Sequence, residues 1–177
     1  MSVCRRFSAF ALSSLFAVAA STVARAQIEK GDKSFQLQGQ YIQIVSPTSQ
    51  DPTGIVLGAY SYYLTAKFGI KTTAGLIFAS ETGYMGGVGL EYNFSSPGQT
   101  TIPFVKLDVL DVKFSGVNLL SVAPGAGVRY FMSRNTSIDM TAAYQRAIAS
   151  FDGGSADGGA IQVLLGFSYF FGGGNRR

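Results

Sequence analysis

The 177-residue chain is long enough for one domain with a substantial core and too short for two ordinary ones. Its 22 Gly, 14 Phe and 9 Tyr, with only 14% charged residues, exclude both a disordered profile and an Ala/Leu/Glu/Lys-rich helical one, and point to sheet. With no His and a single Cys, His-based acid–base catalysis, His/Cys zinc sites and an internal disulfide framework are excluded too.

Residues 1–26 read as a cleavable signal peptide, leaving one domain over 27–177. Arg5 and Arg6 form a basic start, Phe7 to Val23 a mostly apolar run, and Ala24-Arg25-Ala26 a small-x-small cleavage site before Gln27. An uncleaved anchoring helix is the alternative; Ser13, Ser14, Ser21 and Thr22 within the run argue against it. Cys4 precedes the apolar run, the wrong place for lipoprotein acylation, and leaves with the peptide. The 14 basic residues fall to 11 with the loss of Arg5, Arg6 and Arg25, against 10 acidic ones, so the formal charge of +4 mostly disappears. That balance offers no footprint for nucleic acid.

Beyond Gln27 no apolar run approaches the length of a membrane helix, and alternation with a period of two takes over. The first segment sets Phe35, Leu37 and Tyr41 against Ser34, Gln36, Gln38 and Gln40. Residues 53–64 are apolar on both parities and fit either phase. The third segment sets Phe68, Ile70, Thr72, Ala74, Leu76 and Phe78 against Lys67, Gly69, Lys71, Thr73 and Gly75. In the fourth, Tyr84, Gly86, Val88, Leu90, Tyr92 and Phe94 oppose Met85, Gly87, Gly89, Glu91 and Asn93.

In the fifth segment, 102–114, Pro103, Val105, Leu107 and Val109 lie on the greasy face and Lys106 and Asp108 on the other. The greasy set then changes to Leu110, Val112 and Phe114, which predicts a bulge near Val109. The sixth sets Leu120, Val122, Pro124, Ala126, Val128 and Tyr130 against Ser121, Ala123, Gly125, Gly127 and Arg129. In the seventh, 136–150, Ile138, Met140, Ala142 and Tyr144 alternate, although residues 141–147 also suit a helix. The eighth sets Ile161, Val163, Leu165, Phe167, Tyr169 and Phe171 against Ala160, Gln162, Gly166 and Ser168.

The connectors are all of hairpin length, so sequential strands should pair antiparallel in a meander. Those after even-numbered strands are Thr65-Ala66, Ser95 to Thr100 and Ser133-Arg134-Asn135. Those after odd-numbered strands are Ser46 to Pro52, Glu81-Thr82-Gly83, Ser115 to Asn118 and Asp152 to Gly159. Segments 67–81, 102–114 and 118–132 look longer than a membrane requires, so their ends should stand above the surface as edges for a partner strand, the partner itself being unspecified.

Which face is inside decides the class. The polar face is crowded with Gly, Ala, Ser and Thr, suited to a narrow barrel interior, whereas a solvated surface is normally about a quarter to a third charged. The greasy face would be a very large exposed patch in water. Tyr62, Tyr63, Phe68, Tyr92, Phe94, Tyr130, Tyr169 and Phe171 fall near even-numbered turns or the carboxyl end, as an interfacial girdle would, though without Trp. The fold expected is all-β: a closed eight-stranded antiparallel up-and-down transmembrane barrel, preceded by the signal peptide. A secreted soluble barrel binding a small apolar ligand is the alternative.

The signal peptide, the eight alternating segments and the terminal Gly166, Tyr169 and Phe171 resemble the small eight-stranded outer-membrane barrels, the group that includes outer-membrane protein X and the transmembrane domain of outer-membrane protein A. The resemblance covers the mature chain. It implies location in the bacterial outer membrane, periplasmic termini, surrounding lipid, and delivery by the barrel-assembly machinery through a terminal-strand signal carried by Gly166, Tyr169 and Phe171. The sequence departs from that signal at Leu164, where the family has a polar residue, and in the six residues 172–177 that follow the last aromatic.

Catalytic members of that group use His, so neither an enzyme nor a cofactor is expected. Gly86-Gly87-Val88-Gly89 lies within a strand and has no helix or Lys-Ser/Thr after it, so it is no phosphate cradle. Asp152 and Asp157 in a glycine-rich loop resemble calcium loops, but one copy without a third carboxylate reads as a bare hairpin loop and no metal is expected. The six candidate interior charges are Lys71, Glu91, Lys106, Asp108, Arg129 and Asp139. They either plug and stiffen the barrel or line a narrow water path and set ion selectivity. A structural or surface-interacting role is the leading reading, with an ion-permeable channel as the alternative.

Overall fold

A chain whose aromatic and β-branched residues recur at every second position buries one set of side chains only as a strand, and its backbone must then pair with neighbours. The computed structural model describes residues 28–42, 53–78, 82–96, 98–114, 117–151 and 159–172. Its strands are β1 (Lys33–Ile42), β2 (Thr53–Tyr63), β3 (Phe68–Phe78), β4 (Thr82–Asn93), β5 (Thr101–Phe114), β6 (Val117–Phe131), β7 (Thr136–Phe151) and β8 (Gly159–Phe171). Each is antiparallel to the next, and β8 pairs with β1 to close a barrel. No helix among the described residues is long and apolar enough to cross a membrane. The signal segment 1–26 and most of the Asp152–Gly159 loop lie outside the described residues.

Closure carries an offset. The row of paired residues that starts at Phe35 runs through Tyr60, Thr72, Val88, Val109, Val122 and Arg146 to Gly159. Phe35 itself pairs across the seam with Tyr169, ten residues away on β8. An offset of this kind tilts the strands and, with eight of them, leaves a lumen only wide enough to be filled by side chains.

The side-chain phase follows the alternation on most strands and departs from it in particular places. The ambiguity over 53–64 is resolved by β2: Ile55, Leu57, Ala59, Ser61 and Tyr63 are buried, while Val56, Tyr60 and Tyr62 are exposed. Tyr63 is therefore not part of the outer girdle. β5 keeps one phase throughout, with Leu110 and Val112 buried and its register to β4 and β6 unbroken, so there is no bulge near Val109. These residues face an apolar layer of the lumen, and the polar residues between and after them, Asp111 and Lys113, are on the outward parity. The register shift lies in β7: Leu120 pairs with Ala149 and Ser121 with Ala147, leaving Ile148 as the extra residue.

Segment 136–150 is strand, not helix. The longest strands are β5, β6 and β7, at 14, 15 and 16 residues, whereas β3 has 11 and ends at Phe78. Of the segment 67–81 read as overlong, residues 79–81 lie outside the described residues. Thr82 and Gly83 belong to β4, so that connector falls at 79–81, earlier than the sequence implied, and Val117 and Asn118 belong to β6, so the connector before it is shorter than expected.

The interior is layered along the barrel axis. At the end holding the termini, Ile28, Tyr63, Ile102, Phe131 and Phe170 form one buried apolar cluster. Ile28 is brought there by a turn in which Asp32 N–H donates to Glu29 O (3.1 Å) and Gly31 takes φ 87°, a value that favours glycine. Gly31 N–H donates to Tyr63 O and Tyr63 N–H to Asp32 O, both at 2.8 Å, tying the turn beneath β2. At the loop end, Ile55, Leu57, Ile77, Met85, Leu110, Val112, Ala123 and Leu164 form a second apolar layer. The polar residues lie between.

Packing is tight where glycine admits a ring. A Cβ on Gly127 would meet Met140 O at 2.5 Å and Phe104 Cζ at 2.6 Å, while one on Gly86 meets only Thr73 O at 3.7 Å. Gly127→Val is expected to cost about 1–3 kcal/mol by overpacking, and Gly86→Ala less than about 0.5 kcal/mol. Guanidinium unfolding of the detergent-folded protein measures both; equal effects would contradict this packing.

Candidate functional site

Arg129 occupies the middle of the polar layer, 1% exposed. Register sets it directly opposite Asp139 on β7, and the narrow lumen brings Glu91 of β4 to its other side. Its Nη1 donates to Glu91 Oε1 (2.9 Å), Asn93 Oδ1 (3.0 Å) and Tyr63 Oη (3.1 Å). Nη2 donates to Glu91 Oε2 and Asp139 Oδ2 (both 3.3 Å), and Nε to Asp139 Oδ1 (3.1 Å). The guanidinium carbon also lies 4.9 Å from the Phe104 ring centre and 5.2 Å from that of Phe170, a cation between two aromatic rings.

Both carboxylates are satisfied beyond the ion pair. Glu91 accepts from Tyr63 Oη (2.9 Å) and Asn93 Nδ2 (3.0 Å). Asp139 accepts from Ser137 Oγ (2.8 Å), Ser168 Oγ (2.6 Å) and Gln36 Nε2. A buried charge needs its remaining lone pairs and protons filled, and this layer supplies them from five strands.

The second tier is centred on Asp108. Lys71 Nζ lies 2.7 Å from its Oδ1 and Lys106 Nζ 3.0 Å from its Oδ2. In the pairing row Gly89 stands between Lys71 and Asp108, and a Cβ there would run into the Asp108 carboxylate. The glycine is what lets the lysine reach the acid. Lys106 pairs in register with Glu91, so the tiers meet there, and three bases stand against three acids. Above Asp108, Gln162 Nε2 donates to Gln145 Oε1 (2.6 Å) beside a cavity of about 20 Å³, room for roughly one water.

All six candidate interior charges thus lie in one lumen, in two contiguous groups. The sequence reading did not name Tyr63, Asn93, Gln36, Ser137, Ser168, Phe104 or Phe170 as partners; strand parity places most of them, but only register pairs them. Gly166 faces inward, where the Gln38 side chain covers it at 2.7 Å from an added Cβ. Tyr169 and Phe171 face outward, with stacked rings 6.2 Å apart. Among the described residues no three His, Cys, Asp or Glu side chains are grouped to hold a metal ion. Asp152 and Asp157 lie outside the described residues.

No protein-family model matches the chain, and no curated protein matches it in sequence. Solved structures share its fold. The N-terminal β-barrel domain of Pseudomonas aeruginosa OprF superimposes with a TM-score of 0.62 at 16% identity, over 81% of this chain and 98% of that one. Neisserial surface protein A gives 0.54 at 12% identity over 79% and 99%. Yersinia pestis outer-membrane protein Ail, in a phospholipid bilayer nanodisc, gives 0.52 at 17% identity over 80% and 100%. The fold is that of the small eight-stranded outer-membrane barrels.

Arg129→Ala leaves Glu91 and Asp139 buried without their cation and should destabilise the barrel by about 3–5 kcal/mol. Replacing all three together by Arg129→Met, Glu91→Gln and Asp139→Asn should recover most of that loss. Guanidinium midpoints of the detergent-folded variants test the pair; a single substitution no worse than the triple would refute the linked network.

Proposed function

We propose that this protein is exported through its 1–26 signal peptide and resides in the bacterial outer membrane as an integral, non-enzymatic barrel, with a structural or surface-interacting role. The observation that carries the reading is the reversed distribution of side chains. Leu165 is 60% exposed, Val88 60% and Phe35 52%, while Arg129, Glu91 and Asp139 are almost fully buried. An exterior of this kind suits lipid, where only a sheet without open edges is tolerated. The fold shared with outer-membrane barrels supports the same location.

Within this reading Gly166, Tyr169 and Phe171 act as the terminal-strand signal for the barrel-assembly machinery. The extended β5–β7 sheet is the part that meets a partner at the surface. The same structure weighs against a conducting channel. Its interior charges are paired, and apolar layers stand at both ends of them. An apolar constriction opposes the passage of ions.

The test is fractionation of the expressed protein, with boiled and unboiled gel migration, followed by planar-bilayer recording. Outer-membrane recovery, a heat-dependent shift and a silent bilayer are expected. Recovery from the soluble fraction without a shift would refute the membrane reading. Steady conductance altered by Glu91→Ala would replace the filled barrel with the channel.

A further inference from the structure

The charges that the lumen does not use are divided unequally between the barrel ends. Among the described residues all four ion pairs lie inside the barrel. The described cations at the terminal end take part in none of them: Lys30 in the turn before β1, Lys33 at the first position of β1, Lys67 after β2 and Arg134 after β6. The acids there are Glu29 and Asp32, and Asp32 is fully buried, its Oδ2 accepting from the Glu29 N–H at 2.9 Å. Toward the opposite end the described charges have both signs, with Asp111 exposed on β5 beside Lys113, and Arg146 on β7. Lys113 Nζ is moreover drawn to the Tyr84 ring, 5.9 Å from its centre.

Three of these residues, Lys33, Lys67 and Arg134, also stand beside the end of the apolar outer wall. Lys33 pairs in register with Tyr62 and Phe171, both exposed on the outer face. Lys67 immediately precedes Phe68, and Arg134 follows Tyr130 and Met132, both exposed. Rings at the edge of a hydrocarbon layer with long cations just beyond them is the order in which a membrane presents its own chemistry: acyl chain, interface, phosphate.

We propose that Lys30, Lys33, Lys67 and Arg134 form a collar that binds the anionic headgroups of phospholipids in the leaflet around the terminal end of the barrel. The inference rests on the membrane reading above and adds a lipid preference to it. Each exposed cation near a phosphate adds an attraction that falls off within a Debye length. The collar therefore favours phosphatidylglycerol over phosphatidylcholine in that leaflet and lends the barrel a charge asymmetry along the membrane normal.

The test uses the mature chain refolded into phosphatidylcholine vesicles containing a trace of spin-labelled phosphatidylglycerol or spin-labelled phosphatidylcholine. Boiled and unboiled migration checks that each sample is a folded barrel. Electron spin resonance then measures how much of each label is held at the protein surface. The glycerol lipid is expected to associate at least about twofold more strongly at low salt. The preference should fall towards unity at about 0.5 M NaCl and in the Lys33→Gln, Lys67→Gln, Arg134→Gln triple variant.

Equal association of both lipids with a correctly folded barrel would overturn the collar, as would a preference unchanged in the triple variant. Co-sedimentation with purified peptidoglycan that the triple variant loses, without any lipid preference, would reassign these residues to an anionic polymer. A chain that fails to insert and shows no heat-dependent shift would instead overturn the membrane reading itself.

Discussion

Pairing of β1 with β8, from Lys33 against Phe171 to Gly39 against Leu165, converts a meander into a closed wall, and the rest of the molecule follows from that closure. With no open edge along the paired rows, backbone donors and acceptors are satisfied within the sheet, so the outer face is free to be apolar. With eight tilted strands the lumen is too narrow for bulk water, so whatever points inward must pack or pair.

Both requirements shape the interior. Arg129 reaches Glu91 and Asp139, Asp108 takes Lys71 and Lys106, and no net charge is left among the six. Such a network is a weak source of net stability, because desolvation offsets much of the attraction; its force lies in the cost of breaking it. It selects one register, since a slip of one residue on β4 or β7 would carry Glu91 or Asp139 to the greasy face. The apolar layers around Ile28 and around Leu110 then isolate the charges from either end.

On the proposed reading, a filled lumen leaves contact with other molecules to the outside of the barrel, with the extended β5–β7 sheet toward one end and the proposed basic collar at the other. Among the described residues each of the six interior charges is paired, whereas Lys30, Lys33, Lys67 and Arg134 take part in none of the four ion pairs.

Much of this was legible in the amino-acid sequence. A period of two with one face greasy and the other small or polar can be satisfied only by strands that separate two environments, and hairpin-length connectors permit only a meander. That is why strand number, pairing order and the inward parity of Arg129, Glu91 and Lys71 could be read directly. Parity failed where both faces are apolar. Ile55, Leu57, Leu110 and Val112 line the loop-end layer, so β2 had no evident phase and β5 falsely showed a bulge; Tyr63 looked like girdle but is a hydrogen-bond donor to Glu91. What tertiary structure alone decided is which charges meet. Glu91 and Arg129 lie 38 residues apart, and only the shear of the closed barrel brings them to one height, because a local pattern records which way a side chain points but not what waits across the lumen.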